Sequence, residues 1–249
     1  MLKNLVRSCV RPFGIDIVSY PRLSSLAVQL RDLVRTNGVN LILDVGACDG
    51  GFVRFLRGPV GYRGKIISFE PTNDTFRVLC ENLRADKNWR GCNLGIGDAD
   101  SEGVINTYGK NRDFNSILPL RGDSARSYGV NLASKSEQPI KIRTIDGLWG
   151  ELVKGIPDPI VYLKTDTQGH DPAVIRGATP RLKHIVALQT ELPALQLYDG
   201  MQSLPDSLKN MASLEYVPYG FHPVNQLREM NGMTPEYDVV FIRSDLIRS

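Results

Sequence analysis

One stretch constrains this chain more than any other: Leu41-Ile-Leu-Asp-Val-Gly-Ala-Cys-Asp-Gly-Gly51, an apolar run that ends in a glycine-broken turn. An apolar run without alternation describes a strand buried on both faces, which a parallel sheet covered by helices on each side provides. Gly46 and Gly50 permit positive φ and close backbone approach where the strand gives way to a helix. A second run, Lys65-Ile-Ile-Ser-Phe-Glu-Pro71, ends in a carboxylate followed by proline. Together these describe a nucleoside-cofactor site, in which helix amides favour an anion and Glu70 accepts from two ribose hydroxyls. The cofactor's identity turns on spacing. A dinucleotide fingerprint wants G-x-G-x-x-G, whereas Asp44-x-Gly46-x-x-x-Gly50 has no glycine at 48, and this spacing predicts S-adenosylmethionine.

The rest of the chain describes an ordinary globular protein. At 249 residues it is long enough for one α/β domain with an ample core. Its 30 basic and 27 acidic residues are spread along the sequence, so no clustered footprint for nucleic acid exists. Cys9, Cys48, Cys80 and Cys92 show neither C-x-x-C spacing nor a histidine at ligand distance, which excludes a sequence-encoded zinc site or disulfide framework and fits a reducing compartment. The N-terminus lacks the apolar core of a signal peptide or membrane span, so a cytoplasmic location is expected. Met1 to Val18 alternates apolar and basic residues. It reads as a packing helix, with contact to a membrane surface as the alternative.

Residues 1–38 are expected to form an N-terminal helical arm, with a helix over Leu23 to Val34, and residues 39–249 the main domain. Strands are predicted at 41–45, 66–69, 92–96, 159–164 and 185–188, with closing strands at 215–218 and 237–242. Helices follow Gly50 as far as Arg57, follow Asn73 or Asp74 as caps, begin at Asp171-Pro172, and span 203–211. Gly58-Pro59 and Gly61 to Gly64 read as a turn, and 104–108 as an antiparallel extension. Residues 109–139, polar and rich in Gly, Ser, Asn and Arg, suit a lid or substrate loop, or else disorder. The alternation calls for a doubly wound, mostly parallel sheet with ligands outside the carboxyl ends of its strands.

In that order, Asp44-Val-Gly-Ala-x-x-Gly50, Ser68-Phe-Glu-Pro71, Leu94-Gly-Ile-Gly-Asp98, Lys164-x-Asp166-x-x-Gly169-x-Asp171, Gly177-Ala178, Glu191, Leu197-Tyr198-Asp199-Gly200 and Tyr237-Asp-Val-Val-Phe-Ile-Arg243 resemble the FkbM-type methyltransferases. The resemblance covers about residues 41 to 243. It implies an S-adenosylmethionine-dependent O-methyltransferase with a class I Rossmann-like fold and an antiparallel closing strand. Asp49 stands where the family usually carries Asn or another polar residue, and Asp171 replaces the more usual Glu; both keep polarity.

Methyl transfer from a sulfonium to oxygen needs in-line alignment, exclusion of water and a group that takes the hydroxyl proton. Asp44, Gly46, Ala47, Asp49 and Gly50 are expected at the amino-acid end of the donor, Glu70 and Pro71 at the ribose, and Asp98 at the adenine amino group. A structural reading of Asp44, as a tether of the glycine turn, stands beside this. Asp166, His170 and Glu191 are the candidate bases. His170 suits proton transfer near neutrality but sits at a variable position of the family pattern. Asn115 and Ser116 are candidates for substrate binding, while His184 and His222 read as structural. No cluster has the density of a metal site, so catalysis without metal is expected.

The expected reaction is methylation of a hydroxyl on a small-molecule or glycan acceptor, a sugar leading. A polyketide or phenolic hydroxyl is the enzymatic alternative. A nicotinamide-dependent oxidoreductase is disfavoured by the missing middle glycine, and a non-catalytic module that keeps the fold is the third class. Neither oligomeric state nor acceptor identity is encoded in recognisable form.

Overall fold

The computed structural model describes residues 26–224 and 234–247. The basic and apolar arm over Met1 to Val18 lies outside them. The predicted helix before the first strand appears as α1 (Leu26–Thr36), whose Val28, Leu30, Leu33 and Val34 are buried.

A seven-stranded sheet forms the centre, in the order β3-β2-β1-β7-β8-β10-β9. Its strands are β1 (Leu41–Val45), β2 (Lys65–Phe69), β3 (Trp89–Cys92), β7 (Val161–Thr165), β8 (Ile185–Pro193), β9 (Tyr216–Pro223) and β10 (Glu236–Arg243). β3, β2, β1, β7 and β8 run parallel, while β10 is antiparallel to both neighbours. Every residue of β1, β7 and β8 is buried, as strands covered on both faces must be. On β1, Leu41, Leu43 and Val45 pack on one side with Phe69, Leu163 and Trp149, whereas Ile42 packs on the other with Val53, Leu79 and Tyr162.

Alternation places Asp44 on the Ile42 face. There it belongs to a polar row that crosses four strands in register, Ser68–Asp44–Lys164–Gln189. Pairing within the row offsets part of the cost of burying it, although Asp44 Oδ1 and Gln189 Nε2 have no hydrogen-bond partner. Ser68 Oγ donates to Asp44 Oδ2 at 3.0 Å, and Lys164 Nζ lies 3.8 Å from Asp44 Oδ1 and 3.0 Å from Asp166 Oδ2.

Several connections differ from the sequence expectations. α2 (Gly51–Phe55) does not stop at Gly58-Pro59 but widens into a π-helical turn, Leu56–Val60, that contains Pro59. Proline lacks the amide an α-helix would use, and the wider turn accommodates its ring. The bend comes instead at Gly61, with φ 79°. α3 (Asn73–Leu83) is preceded by Thr72 at its N-cap, so neither Asn73 nor Asp74 caps it. The Thr72 hydroxyl is itself given to Glu70.

The predicted strand over 92–96 is two strands. β3 ends at Cys92, and β4 (Gly95–Ile96) joins a separate sheet, ordered β4-β6-β5. β5 (Ser101–Tyr108) pairs antiparallel with β6 (Lys135–Arg143), so it extends this small sheet and not the central one. Residues 109–139 contain α4 (Gly122–Ser127), two short 3-10 turns and the start of β6. Leu120, Ala125 and Val130 from this segment pack with Leu197, Tyr198 and Met201 in a hydrophobic cluster of their own. α5 (Ile145–Leu152), α6 (Asp171–Ala178) and α7 (Leu204–Ser213) complete the layers. Among the described residues, no helix is long and apolar enough to cross a membrane.

Candidate active site

At the carboxyl ends of β1, β2, β7 and β8 the sheet opens into a cavity of about 480 Å³, roofed by Ile105 and Ile140 of the small sheet. Gly46, Glu70, Asp166, Gln168, Glu191 and Glu236 are among its lining residues. A cavity of this size lies within the range that holds a nucleoside-sized ligand.

The glycine turn is built by close approach. Gly46 has φ +80°, and a Cβ there would lie 1.8 Å from the Asp166 carbonyl oxygen, so the turn rests directly on the end of β7. Cys48 is held left-handed at φ 47° without being glycine. Its amide donates to Glu70 Oε2 at 3.1 Å, and its Sγ donates to Asp113 Oδ1 at 3.3 Å. Burial and the neighbouring Asp113 push the Cys48 thiol up to about 12.

The expectation that turn amides grip an anionic ligand group is corrected by this geometry. Gly46 and Ala47 both donate to the Phe69 carbonyl at 3.0 Å, and Gly50 donates to Ala47 O at 2.9 Å. Gly51 donates to Asp49 Oδ1 at 3.0 Å. The turn folds back on the strand end and consumes these donors itself.

Glu70 is buried at the tip of β2. Oε1 accepts from the Thr72 amide at 2.9 Å and hydroxyl at 2.6 Å, and Oε2 accepts from Cys48. Burial raises its carboxyl above the ordinary range while those donors pull the other way. A carboxylate offers about four acceptor sites. With three taken, one remains for a ligand, not the two that a full ribose diol would use.

Six expected site residues do not line the cavity: Ala47 and Gly50, whose amides the turn consumes, and Asp44, Asp49, Asp98 and Ser116. Asp44 is in the buried row beneath the turn and does not line the cavity, which is the tether reading. Asp49, with a side chain 47% exposed, pairs with Arg54 at 3.0 Å. Asp98 pairs with Arg176 at 2.8 Å, and the wall expected of it is formed by Leu94, Gly95 and Ile96. Ser116 is fully buried and donates to the Gln168 carbonyl at 2.7 Å, so it holds the segment 109–139 against the end of β7. Pro71 and Asn115 do line the cavity, although Asn115 Oδ1 is engaged by the Tyr108 amide at 3.2 Å.

Asp166, His170 and Glu191, the three candidate bases, all line the cavity, but in different surroundings. Asp166 is paired with buried Lys164. His170 precedes α6 at its N-cap, and its Nε2 faces Gly97. Burial lowers its imidazole below the ordinary value. Glu191 is buried and raised well above the carboxylate range, first by desolvation and then by Asp166 and Glu236.

Three neighbours of Glu191 escape a sequence reading. Gln168, left-handed at φ 54°, donates from Nε2 to Asp166 Oδ1 at 3.0 Å and Glu191 Oε2 at 3.1 Å. Tyr198 donates to Gln168 Oε1 at 2.8 Å and so fixes which way the amide faces. Glu236, 3% exposed, reaches the same place from β10, with Oε1 unpartnered. Tyr198 stood in a motif; Gln168 and Glu236 fell at or just outside motif positions with no signal of their own. His222 bonds Gln29 at 2.8 Å and His184 packs on Trp149, both away from the cavity. No group of three or more His, Cys, Asp or Glu suited to a metal occurs among the described residues.

A mostly parallel sheet in this order, with one antiparallel strand inserted beside its edge and a glycine turn facing an acidic second strand tip, is the class I methyltransferase architecture. A profile of the methyltransferase FkbM domain matches residues 44–218, more than half of the chain. The chain belongs to the FkbM methyltransferase family, and its cofactor is S-adenosylmethionine. Among solved structures, methyltransferase FkbM from Methylobacillus flagellatus KT is 15% identical, with a TM-score of 0.53. The match covers 82% of this chain and 43% of that one, so the chain spans less than half the length of that relative. A precorrin-6y C5,15-methyltransferase from Geobacter metallireducens GS-15 matches at 12% identity and TM-score 0.45, covering 92% and 94% of the two chains. Aeropyrum pernix fibrillarin, solved with natively bound S-adenosyl-L-methionine, matches at 11% and 0.43, covering 87% and 73%. At 15% identity the first of these is a likeness of fold. No curated protein sequence matches the chain significantly.

The residues present fit that cofactor. Glu70 keeps one buried acceptor site, and Asp166 offers a carboxylate to a cation. Leu94, Ile96, Ile105 and Ile140 form an apolar wall against which a purine can lie.

Proposed function

We propose that this chain is an O-methyltransferase acting on a hydroxyl of a sugar or sugar-bearing acceptor. The observation that carries the reading is the carboxyl of Glu191, buried in the cavity wall at the end of β8 and held by Gln168 beside Asp166. When bound, the cofactor supplies an electrophilic methyl group on a sulfonium. Glu70 takes one ribose hydroxyl, the apolar wall takes adenine, and Asp166 takes the ammonium group. Glu191 accepts the hydroxyl proton as the base. His170 is set aside from that task because it faces Gly97 and the Asp98–Arg176 pair.

A sugar ring is favoured over a phenol by the lining at this end. Glu191, Glu236, Gln168, Asn115 and Arg112 supply hydrogen-bonding groups, and Phe114 with Tyr128, stacked edge-on at 5.3 Å, supplies an apolar face. Sugars present a polar rim and an apolar face to such walls. The test is release of S-adenosylhomocysteine with polyhydroxylated and with phenolic acceptors. Turnover with the former is expected, and Glu191→Gln should lower it about 10²- to 10⁴-fold, the range typical of a lost general base. Turnover with phenols alone would overturn the acceptor class, and cofactor binding without turnover on either set would favour a binding module.

A further inference from the structure

We propose that Glu191 and Glu236 act as one proton-sharing carboxyl pair, kept neutral in the free protein and converted to its proton-accepting state by the positive charge of the methyl donor. The inference rests on the assignment of the cavity to S-adenosylmethionine and names a second catalytic group, Glu236, within it.

The geometry is that of two buried acids with too few partners to stay charged. Glu191 is 7% exposed and Glu236 3%, and both line the cavity from the adjacent antiparallel strands β8 and β10, where Glu191 is in register with Asp238 and Glu236 lies two residues before it on the same face. Glu191 Oε2 accepts from Gln168, whereas Oε1 of Glu236, a residue of the cavity wall, is buried with no partner. A buried carboxylate left in this way is costly, and two of them side by side more so. The surroundings add to that cost. Asp166 at the end of β7, Asp171 of α6 and Asp238 of β10 all raise both carboxyls. Tyr128 on the cavity wall and Tyr198, bonded to Gln168, are phenols raised first by burial and then by the nearness of these carboxyls. Lys164, the buried cation nearby, is committed to Asp44 and Asp166. Arg112 and His170 are the remaining titratable or charged groups on the cavity wall apart from Glu70, Cys48 and Asp113 at the other end.

Glu236 is accordingly pushed up to about 8, and Glu191 lies well above the carboxylate range. A positive charge within a few ångström lowers a carboxyl by about 1 to 3 pH units. That is enough to carry Glu236 across neutrality. The pair then holds one proton and one negative charge, and can receive a second proton. In the transfer, the acceptor O–H bond breaks as its oxygen bonds the methyl carbon, and the proton passes to the ionised carboxylate oxygen. The sulfur–methyl bond breaks with its electron pair remaining on sulfur. The pair regains its neutral form as the positive charge beside it disappears, so proton affinity rises in step with the reaction.

Calorimetric titration in buffers of different ionisation enthalpy reads the proton directly, without turnover. At pH 7, about 0.5 to 1 proton should leave per S-adenosylmethionine bound. S-adenosylhomocysteine, which shares every other group but lacks the sulfonium charge, should release little. Glu236→Gln should abolish the difference, whereas His170→Ala should retain it. Absence of binding by either ligand would overturn the cofactor assignment itself. Binding of both with equal proton release in the unaltered protein would overturn the pair alone, as would a difference that survives in a folded Glu236→Gln variant. Should that variant fail to fold, the comparison of the two ligands on the unaltered protein still decides.

Discussion

Glu70→Gln is the sharpest test of how the cofactor is held, because the substitution keeps shape and removes charge. The Thr72 amide and hydroxyl both donate to Oε1, so the glutamine carbonyl is drawn to that side. Its amide nitrogen then faces the Cys48 N–H, donor against donor, where a 3.1 Å hydrogen bond had been. Leaving that buried donor unpaired costs about 1–3 kcal/mol of folding stability, and the left-handed Cys48 loses its main restraint. For the ligand, the count of acceptor sites sets the magnitude. With three of about four sites taken in the free protein, one charge-assisted hydrogen bond to ribose is lost, worth about 1.5–3 kcal/mol. That is about a 10- to 150-fold rise in Kd. Because ribose is common to both ligands, S-adenosylmethionine and S-adenosylhomocysteine should weaken by the same factor in calorimetry. A folded variant with affinity within about twofold would refute the role of Glu70. A loss beyond about 1000-fold, equivalent to roughly 4 kcal/mol, would instead show that both ribose hydroxyls are engaged and the Cys48 or Thr72 donors displaced.

Two further outcomes follow from packing and charge. Gly177→Ala should destabilise the fold by about 1–3 kcal/mol, since a Cβ there would lie 2.0 Å from the Gly97 carbonyl oxygen and α6 would have to move off the β4 turn; an unchanged thermal midpoint would contradict this contact. Glu236→Gln should alter how stability depends on pH. A carboxyl raised from 4.5 to about 8 in the folded chain contributes most below 4.5 and loses that contribution as pH rises to about 8. The loss is on the order of a few kcal/mol, and the variant should lack it in urea titrations at pH 6 and pH 8.5. Equal slopes in the two proteins would show that Glu236 is not the group responsible.

The central sheet was legible because its strands carry their own signature. The largely apolar runs at 41–45, 66–69 and 185–188 admit burial on two faces, and the second of them leads into Glu70, which the architecture turns toward the cleft. The small sheet was not legible in the same way. Asn93-Leu94 carries no glycine or proline, yet the chain leaves one sheet there and enters the other two residues later. Nor did the composition of 109–139 show that Leu120, Ala125 and Val130 would bury themselves against Leu197 and Tyr198, because the partner lies some 70 residues further on.

The same division runs through the site. Residues at strand tips could be placed from sequence alone, since the fold sends every parallel strand's carboxyl end to one edge; Glu70, Asp166 and Glu191 all arrive there. Asp44 shows the limit of that rule. It lies before the tip, and strand alternation from Ile42 turns it inward to Ser68 and Lys164. Glu236 shows the converse. It lies at the start of its strand, a position that in a parallel strand would face away from the cleft. Only because β10 runs antiparallel to β8 does its first residue fall beside the last turn of β8, pairing Glu236 with Pro193 and Asp238 with Glu191. A chain that carries all its cleft groups on parallel strands presents one carboxyl per tip. The reversed strand is what brings a second carboxyl to this wall, and with Gln168 holding Glu191 and Asp166 in place, Oε1 of Glu236 is left without a partner.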